Sequence, residues 1–161
     1  MRADAALYRE IRLEALQSHP EAFGSTFEAE SVQSLGWFAE RLDGANMFGA
    51  FLGPELAGIA GLMFNAREKE AHKGRLVAMY VRPGARRNGV GRRLVESIVE
   101  FAESKVELVQ LAVVRGNEEA RRLYASLGFE EYGVEKNALK QEGRYYDEIL
   151  MAKGLSPQKQ S

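Results

Sequence analysis

The sequence feature that most constrains the fold is a short apolar segment, residues 79–81, that leads through a glycine-containing turn into an amphipathic segment. Pro83 ends the apolar segment, and Gly89 and Gly91 allow a tight turn that directs successive backbone N–H groups toward one point. The apolar side chains that follow recur at the spacing of one buried helix face: Val90, Leu94, Ile98, Phe101 and Ala102. We therefore predict a strand, a turn and a helix whose free N-terminal amides face the same point as the turn. Such a position suits an anion such as a pyrophosphate.

The glycine spacing narrows the kind of phosphate site. A P-loop needs Gly, four residues and Gly-Lys-Ser/Thr, and a dinucleotide fold needs Gly-x-Gly-x-x-Gly, but this chain has Arg86-x-x-Gly89-x-Gly91. Neither motif matches. The ordinary alternative is an Asn88-Gly89 turn followed by a helix N-terminus with no ligand.

A second strand, turn and helix follows about one structural unit later. Residues 108–114 form an apolar run, and Asn117 is a favourable N-cap residue for the helix that we predict after it. Gly128 stands where a left-handed C-terminal cap belongs. The apolar stripe of this helix consists of Ala120, Leu123, Tyr124 and Leu127.

Together the two segments resemble the GNAT family of acyl-CoA-dependent N-acyltransferases. Its signature combines Arg/Gln-x-x-Gly-x-Gly/Ala with Asn-x-x-Ala-x-x-Leu-Tyr-x-x-Leu-Gly-Phe, which occur here at residues 86–91 and 117–129. The likeness extends from about Phe48 to Met151 and is looser in residues 9–16 and 20–27. It implies an α/β fold with a mixed, mostly antiparallel sheet flanked by helices, in which the parallel strands that end at Val81 and Val114 splay apart.

The expected elements are arranged as one domain, residues 1–154, with a flexible tail at residues 155–161. The family normally has a strand before the first helix, but here Asp4 resembles an N-cap close to Met1, so we expect that strand to be short or absent. The sheet edge left open is then covered by the C-terminal segment or by another chain, which allows a homodimer. The predicted helices are 4–17, 34–43, the helix after the turn to about 105, and the one after Asn117; the predicted strands are 47–52, 56–64, 75–81, 108–114, 129–135 and 145–152.

The resemblance implies acetyl-CoA as co-substrate and no metal. Loop amides would hold its pyrophosphate, and the pantetheine arm would lie in the gap between the splayed strands. The residues implied to contact it are Met79, Tyr80, Val81, Arg86, Arg87, Asn88, Gly89, Val90, Gly91, Arg92, Asn117 and Tyr124.

The resemblance also assigns a catalytic role to Tyr124, whose hydroxyl would protonate or stabilise the departing thiolate. The alternative is a tyrosine packed in the core. A backbone N–H of residues 79–81 would stabilise the oxyanion, so no side-chain nucleophile is needed. The general base stays open between a water relay, a backbone carbonyl, and the carboxylates of Glu28, Glu30 and Glu148.

By the same resemblance, the acceptor pocket is lined by the segment between the first two helices and by the loop before the last strand. The residues implied are Phe23, Ser25, Phe27, Trp37, Tyr145 and Tyr146. Aromatic side chains suit a small amine or a peptide amine, because cation–π contact can hold an ammonium, although aromatics also pack cores. The expected activity is direct acetyl transfer to a primary amine in a ternary complex. The alternative is a non-catalytic sensor or interaction module that binds acyl-CoA.

Composition excludes several other classes. The 161 residues are 45% hydrophobic and 28% charged, typical of one globular domain, which buries roughly 70% of its extended surface. A net charge of −1 argues against a nucleic-acid binder, although five arginines cluster around the glycine turn. The chain has no cysteine, and its two histidines, His19 and His72, have no metal-ligand spacing, so we expect both at the surface. Neither a signal peptide nor a membrane span is apparent, and we expect a cytoplasmic location.

Overall fold

The computed structural model describes residues 2–155, with side chains from Asp4 onward. The predicted tail therefore lies outside the described residues except for Leu155. The helices are α1 (Arg2–Ser18), α2 (Phe27–Ser31), α3 (Leu35–Gly44), α4 (Val90–Ala102) and α5 (Glu118–Ser126), and short 3-10 turns occupy Pro20–Ala22, Glu68–Glu70 and Pro83–Ala85. The strands are β1 (Phe48–Leu52), β2 (Glu55–Phe64), β3 (Lys73–Val81), β4 (Leu108–Val114), β5 (Glu130–Gln141) and β6 (Arg144–Gly154).

The six strands form one mixed sheet in the order β1-β2-β3-β4-β6-β5. Only the β3–β4 pair is parallel, and the other four pairs are antiparallel. The predicted fold class is therefore confirmed. Within residues 2–155, the first strand follows the three N-terminal helices.

Three local expectations differ from the structure. Helix α1 begins at Arg2, so Asp4 lies in its first turn instead of capping it. There its carboxylate still complements the positive end of the helix dipole. Helix α4 ends at Ala102, three residues before the expected end. Helix α2, a single short turn, lies outside the predicted helices. Thr26 caps it, and its side chain accepts a hydrogen bond from the backbone N–H of Ala29.

Each face of the sheet carries its own hydrophobic core. On one face, α4 packs Leu94, Val95 and Ile98 against β2, β3, β4 and β6. On the other face, α1 and α3 contribute Ile11 and Phe38 to a smaller core that covers β2 and the Tyr80 side of β3. The amphipathic spacing of α1 and α4 explains this arrangement, because each helix buries one stripe against the sheet.

The parallel pair at the centre of the sheet is short. Residues Lys73, Gly74 and Arg75 of β3 pair with Leu108, Val109 and Gln110 of β4, and pairing then stops although both strands continue. A bulge follows in β3 where its register with β2 shifts, and Ala78 there has a φ of 57°. A bulge bends a strand and increases its local twist, which favours divergence from β4. The predicted splay is present.

No helix between residues 2 and 155 combines the length and the apolar character needed to cross a bilayer.

Candidate active site

An open cleft of about 840 Å³ lies where β3 and β4 diverge. Its floor and walls come from the end of β3, the glycine turn, the start of α4, the β4–α5 connection and the loop between α1 and α2. The lining residues are His19, Glu21, Ala22, Phe23, Met79, Tyr80, Val81, Arg86, Arg87, Gly89, Val90, Gly91, Arg92, Val114, Arg115, Gly116, Asn117, Glu119, Ala120, Arg122, Leu123, Ser126 and Tyr146. The two motif segments that are separate in sequence thus share one cavity.

The glycine turn has the geometry of an anion site. Gly89 is the N-cap of α4 with a φ of 73°, and no side chain caps the helix there. The first amides of α4 therefore have no capping side chain and are available to a bound anion. At Gly91 a Cβ atom would lie 3.2 Å from Leu123 and 3.3 Å from Met79, so a larger residue would press on the cleft wall.

Two arginines of this turn are already held by protein groups. Arg86 donates from Nε to the carbonyl of Val81 at 3.1 Å, and its Nη2 lies 3.2 Å from Nε2 of His19. Arg92 donates to the Ser126 hydroxyl at 2.9 Å. Their guanidinium groups are thereby positioned along the cleft before any ligand binds. Of the predicted coenzyme contacts, all line the cleft except Asn88, which is exposed, and Tyr124.

His19 is a site residue that the sequence did not predict; we expected it at the surface. It lines the cleft and reaches Arg86, so it joins the loop after α1 to the end of β3. The His19 ring also lies 6.2 Å from that of Tyr80. The Tyr80 hydroxyl does not bond to His19. It donates a hydrogen bond to Glu14 of α1 at 2.9 Å. The sequence around His19 does not indicate this position. His19 and the glycine turn are far apart in sequence and become neighbours only because β3 ends beside α1 in the fold.

Tyr124 lies on α5, whose N-cap is Asn117; the Asn117 side chain accepts a hydrogen bond from Ala120 at 3.3 Å, as predicted. The Tyr124 ring is buried and packs edge-on against Phe129 at 5.8 Å. Burial raises the pKa of Tyr124 far above its ordinary value of 10.0, and no charge or hydrogen bond contributes.

The six predicted acceptor-pocket residues are not all brought to the cleft. Phe23 lines it, whereas Ser25 and Phe27 lie in the neighbouring loop and α2. Trp37 packs against Phe38 in the smaller core. Tyr145 is 55% exposed, and its neighbour Tyr146 lines the cleft instead, because successive strand side chains point to opposite faces.

The three candidate bases have different surroundings. Glu28 is exposed on α2, and Glu30 is buried in an ion pair with Arg12. Burial alone would raise the pKa of Glu30, but hydrogen bonds from Arg12 and Ser25 and the charges of Arg12 and Arg41 lower it overall. Such a carboxylate is a weak base.

Glu148 is the candidate whose basicity is increased. It lies directly opposite Val114 of β4, which lines the cleft, and opposed residues present their side chains on one face of the sheet. Burial raises the pKa of Glu148, the charge of Arg75 partly offsets this, and Glu135 raises it further. Its carboxylate is therefore a better proton acceptor than an ordinary one.

Comparison with known proteins decides the family. The sequence profile of the acetyltransferase (GNAT) family matches residues 8–129. The chain belongs to the GNAT family. As a GNAT protein it is an acyl-CoA-dependent N-acyltransferase, and the resemblance seen in the two motifs is confirmed.

Individual GNAT relatives agree in sequence and in fold. The chain is 30% identical over 122 residues to the uncharacterised N-acetyltransferase YsnE of Bacillus subtilis. The aligned region covers 68% of this chain and 76% of that protein. It superposes on the ribosomal-protein-alanine N-acetyltransferase of Brucella melitensis with a TM-score of 0.80, 27% identity and 96% coverage of both chains. The Salmonella typhimurium protein yncA, solved with its cofactor acetyl-CoA, gives a TM-score of 0.78 at 21% identity, covering 97% of this chain and 91% of that one.

Proposed function

We propose that this GNAT protein transfers an acetyl group from acetyl-CoA to a primary amine by direct attack within a ternary complex. The observation that carries the proposal is the cleft, which joins the glycine turn and the N-terminus of α4 to the gap between β3 and β4. One end offers backbone amides and arginines to phosphates. The other end lies beside Phe23, Tyr146 and the face of the sheet that carries Glu148.

The anionic end fits the diphosphate of the coenzyme. The uncapped N-terminus of α4 supplies amide donors and a positive dipole, and Arg87 and Arg92 line the same wall. An arginine fork matches phosphate oxygens in a bidentate way. This donor set needs no metal ion to hold two phosphates.

The central part of the cleft fits an extended amide-containing chain. Residues 76–81 of β3 have no partner on β4, so backbone groups on that side of the strand can pair with the amides of the pantetheine arm. A backbone N–H near Met79 can also stabilise the oxyanion formed when the amine attacks the thioester carbonyl.

The proposed reaction uses one proton acceptor and one hydrogen-bond donor. Glu148 takes a proton from the substrate ammonium, directly or through a water molecule, and the neutral nitrogen forms a bond to the carbonyl carbon. The nitrogen of the tetrahedral intermediate then loses its second proton to a water molecule. Collapse of the intermediate breaks the C–S bond and gives the neutral amide and the thiolate. Tyr124 donates a hydrogen bond to that sulfur; since its raised pKa exceeds that of an ordinary thiol, about 8.5, the thiolate takes its final proton from solvent.

The acceptor end supports a primary amine on a compact carrier, either a small molecule or a peptide. Phe23 and Tyr146 offer aromatic faces to an ammonium group, and Glu21 adds a carboxylate on the same wall. The Brucella melitensis relative is named for acetylating the alanine of a ribosomal protein, so peptides with a free N-terminus belong in the first acceptor panel.

Two measurements test the proposal. Calorimetry with and without EDTA is expected to give one molecule of acetyl-CoA bound per chain in both conditions. A panel of polyamines, amino acids, aminoglycosides and N-terminal peptides is then assayed for thiol release from acetyl-CoA. Binding without turnover of any amine would favour the acyl-CoA sensor, and absence of binding would overturn both functions.

A further inference from the structure

Helices α1 and α2 are joined by a buried ion pair that the reaction scheme does not use. Arg12 donates from Nε to Oε1 of Glu30 and from Nη2 to Oε2, each at 3.0 Å. The Glu30 side chain is 2% exposed and that of Arg12 is 11% exposed. Glu30 is the one buried charged residue of the described chain, and its helix is a single short turn.

Overall stability gives no reason for a charged pair at this position. Removing two charges from water is costly, and a well-packed apolar pair of similar volume often stabilises a protein at least as well. What a bidentate pair adds is geometry, since both groups are fixed relative to each other by two parallel hydrogen bonds. The pair is therefore best understood from what it holds in place.

The pair holds the loop between α1 and α2, residues 19–26, at two points. The Arg12 guanidinium lies over the ring of Phe23, 5.2 Å from its centroid. The Ser25 side chain lies close enough to the Glu30 carboxylate to lower its pKa. Phe23 in turn lines the cleft, so a chain of contacts runs from the buried carboxylate to the wall of the site.

We propose that Glu30 is a positioning residue for the acceptor: through Arg12 and Ser25 it fixes the α1–α2 loop so that Phe23 forms a rigid wall of the cleft. The inference rests on the proposed acetyl transfer, because it assigns Phe23 to the acceptor end. Glu30 itself touches neither substrate. When Phe23 is already fixed, less conformational entropy is lost on binding the amine. A small displacement of Phe23 therefore weakens binding strongly.

The role predicts a specific kinetic signature. In Glu30→Gln the carboxylate becomes an amide, Arg12 loses its charged partner, and Phe23 loses the fixed cation above its ring. The Michaelis constant for the amine is expected to rise about tenfold or more. The dissociation constant of acetyl-CoA, whose phosphates we place at the N-terminus of α4, is expected to change less. Amide hydrogen exchange in residues 20–26 is expected to become faster.

The matched control is Glu70→Gln, which breaks the half-buried pair between Glu70 and Lys73, 3.6 Å apart, neither of which lines the cleft. It is expected to leave the Michaelis constant for the amine and the dissociation constant of acetyl-CoA within about twofold of the wild type. Phe23→Leu provides the second arm: if Glu30 acts through Phe23, the double variant raises the amine constant no more than the worse single variant. Additive effects would overturn the proposed route.

A third variant keeps the experiment decisive if Glu30→Gln does not fold. Arg12→Lys preserves the charge but removes the planar fork, so the two parallel hydrogen bonds that fix the cation over Phe23 are lost. The proposal expects the same rise in the amine constant there. A purely structural pair would instead lower thermal stability with an unchanged amine constant, which would overturn it. If the wild type acetylates no amine, the proposed function fails, and unchanged exchange in residues 20–26 would reject the loop anchor separately.

Discussion

Arg75 of β3 and Gln110 of β4 form the last paired position between the two parallel strands. From there β4 continues to pair with β6 through Val114, opposite Glu148, whereas β3 leaves the β4 side and bulges at Ala78. The cleft therefore lies where β3 and β4 stop pairing with each other, while β3 still pairs with β2 and β4 with β6. The positions on either side of this divergence yield the predictions that follow.

Ala78 should tolerate no β-branched side chain. Its φ of 57° lies in the left-handed region, where valine is a marked outlier. We expect Ala78→Val to lower the free energy of unfolding by about 1–3 kcal/mol and to reduce kcat, because the bulge positions the backbone of Met79. Urea denaturation and steady-state assays measure both effects. The control is Ala152→Val on the regular strand β6, and equal stability of the two variants would contradict the strain argument.

Gly91→Glu is expected to abolish acetyl-CoA binding. The new side chain enters a wall where a Cβ atom alone comes within 3.3 Å of Met79, and its carboxylate repels a phosphate at the start of α4. Gly84→Glu serves as the control, because nothing lies within 4 Å of a Cβ atom there. Calorimetry measures affinity and circular dichroism checks the fold. Near wild-type binding by a folded Gly91→Glu protein would show that the phosphates bind elsewhere.

Tyr124→Phe separates the hydroxyl from the ring. The ring still packs on Phe129, so acetyl-CoA affinity should change little, while kcat falls by roughly 10²-fold if the hydroxyl assists the leaving thiolate. A residue with only a packing role would instead leave kcat intact.

The raised pKa of Tyr124 also fixes the pH dependence. The neutral hydroxyl is the active form, and burial keeps it neutral beyond the ordinary value of 10.0. The wild type should therefore show no loss of kcat from Tyr124 as the pH rises to 10. An alkaline limb below that pH which disappears in Tyr124→Phe would contradict this environment.

Glu148→Gln is expected to lower kcat by about 10²-fold, the scale of a lost general base. The active form is the carboxylate, and because burial raises its pKa, the wild-type rate should rise with pH above the ordinary range of a glutamate. This acidic limb should vanish in the variant. In Glu135→Gln, at the opposed position of β5, the limb should remain but move to lower pH, because the charge of Glu135 raises the pKa of Glu148. A limb that survives in Glu148→Gln would assign the base elsewhere.

Stability should move in the opposite direction at the same residue. A carboxyl group whose pKa is raised on folding contributes stability that is present at low pH and lost as the pH rises through its folded pKa. At neutral pH, Glu148→Gln should therefore unfold at higher denaturant concentration than the wild type. A lower midpoint would show that the charged carboxylate is favourably placed.

Much of this molecule follows from local sequence. Gly89 and Gly128 stand at positive φ, Asn117 caps α5, and the apolar stripe of α4 faces the sheet, because turn and cap chemistry depend on a few neighbouring residues. The two family motifs could be recognised from the sequence for the same reason, because each consists of one continuous strand, turn and helix. The expected strand positions agree with the structure to within a few residues, apart from a longer β5.

Only the tertiary structure decided which distant residues meet. His19 reaches Arg86 because β3 ends beside α1, and Glu30 is buried because α2 folds onto Arg12, although glutamate is ordinarily a surface residue. The same holds for which of Tyr145 and Tyr146 lines the cleft, and for the bulge at Ala78, a residue with no preference for positive φ. These features depend on contacts between elements far apart in sequence, whose energies outweigh the local preferences that a sequence displays.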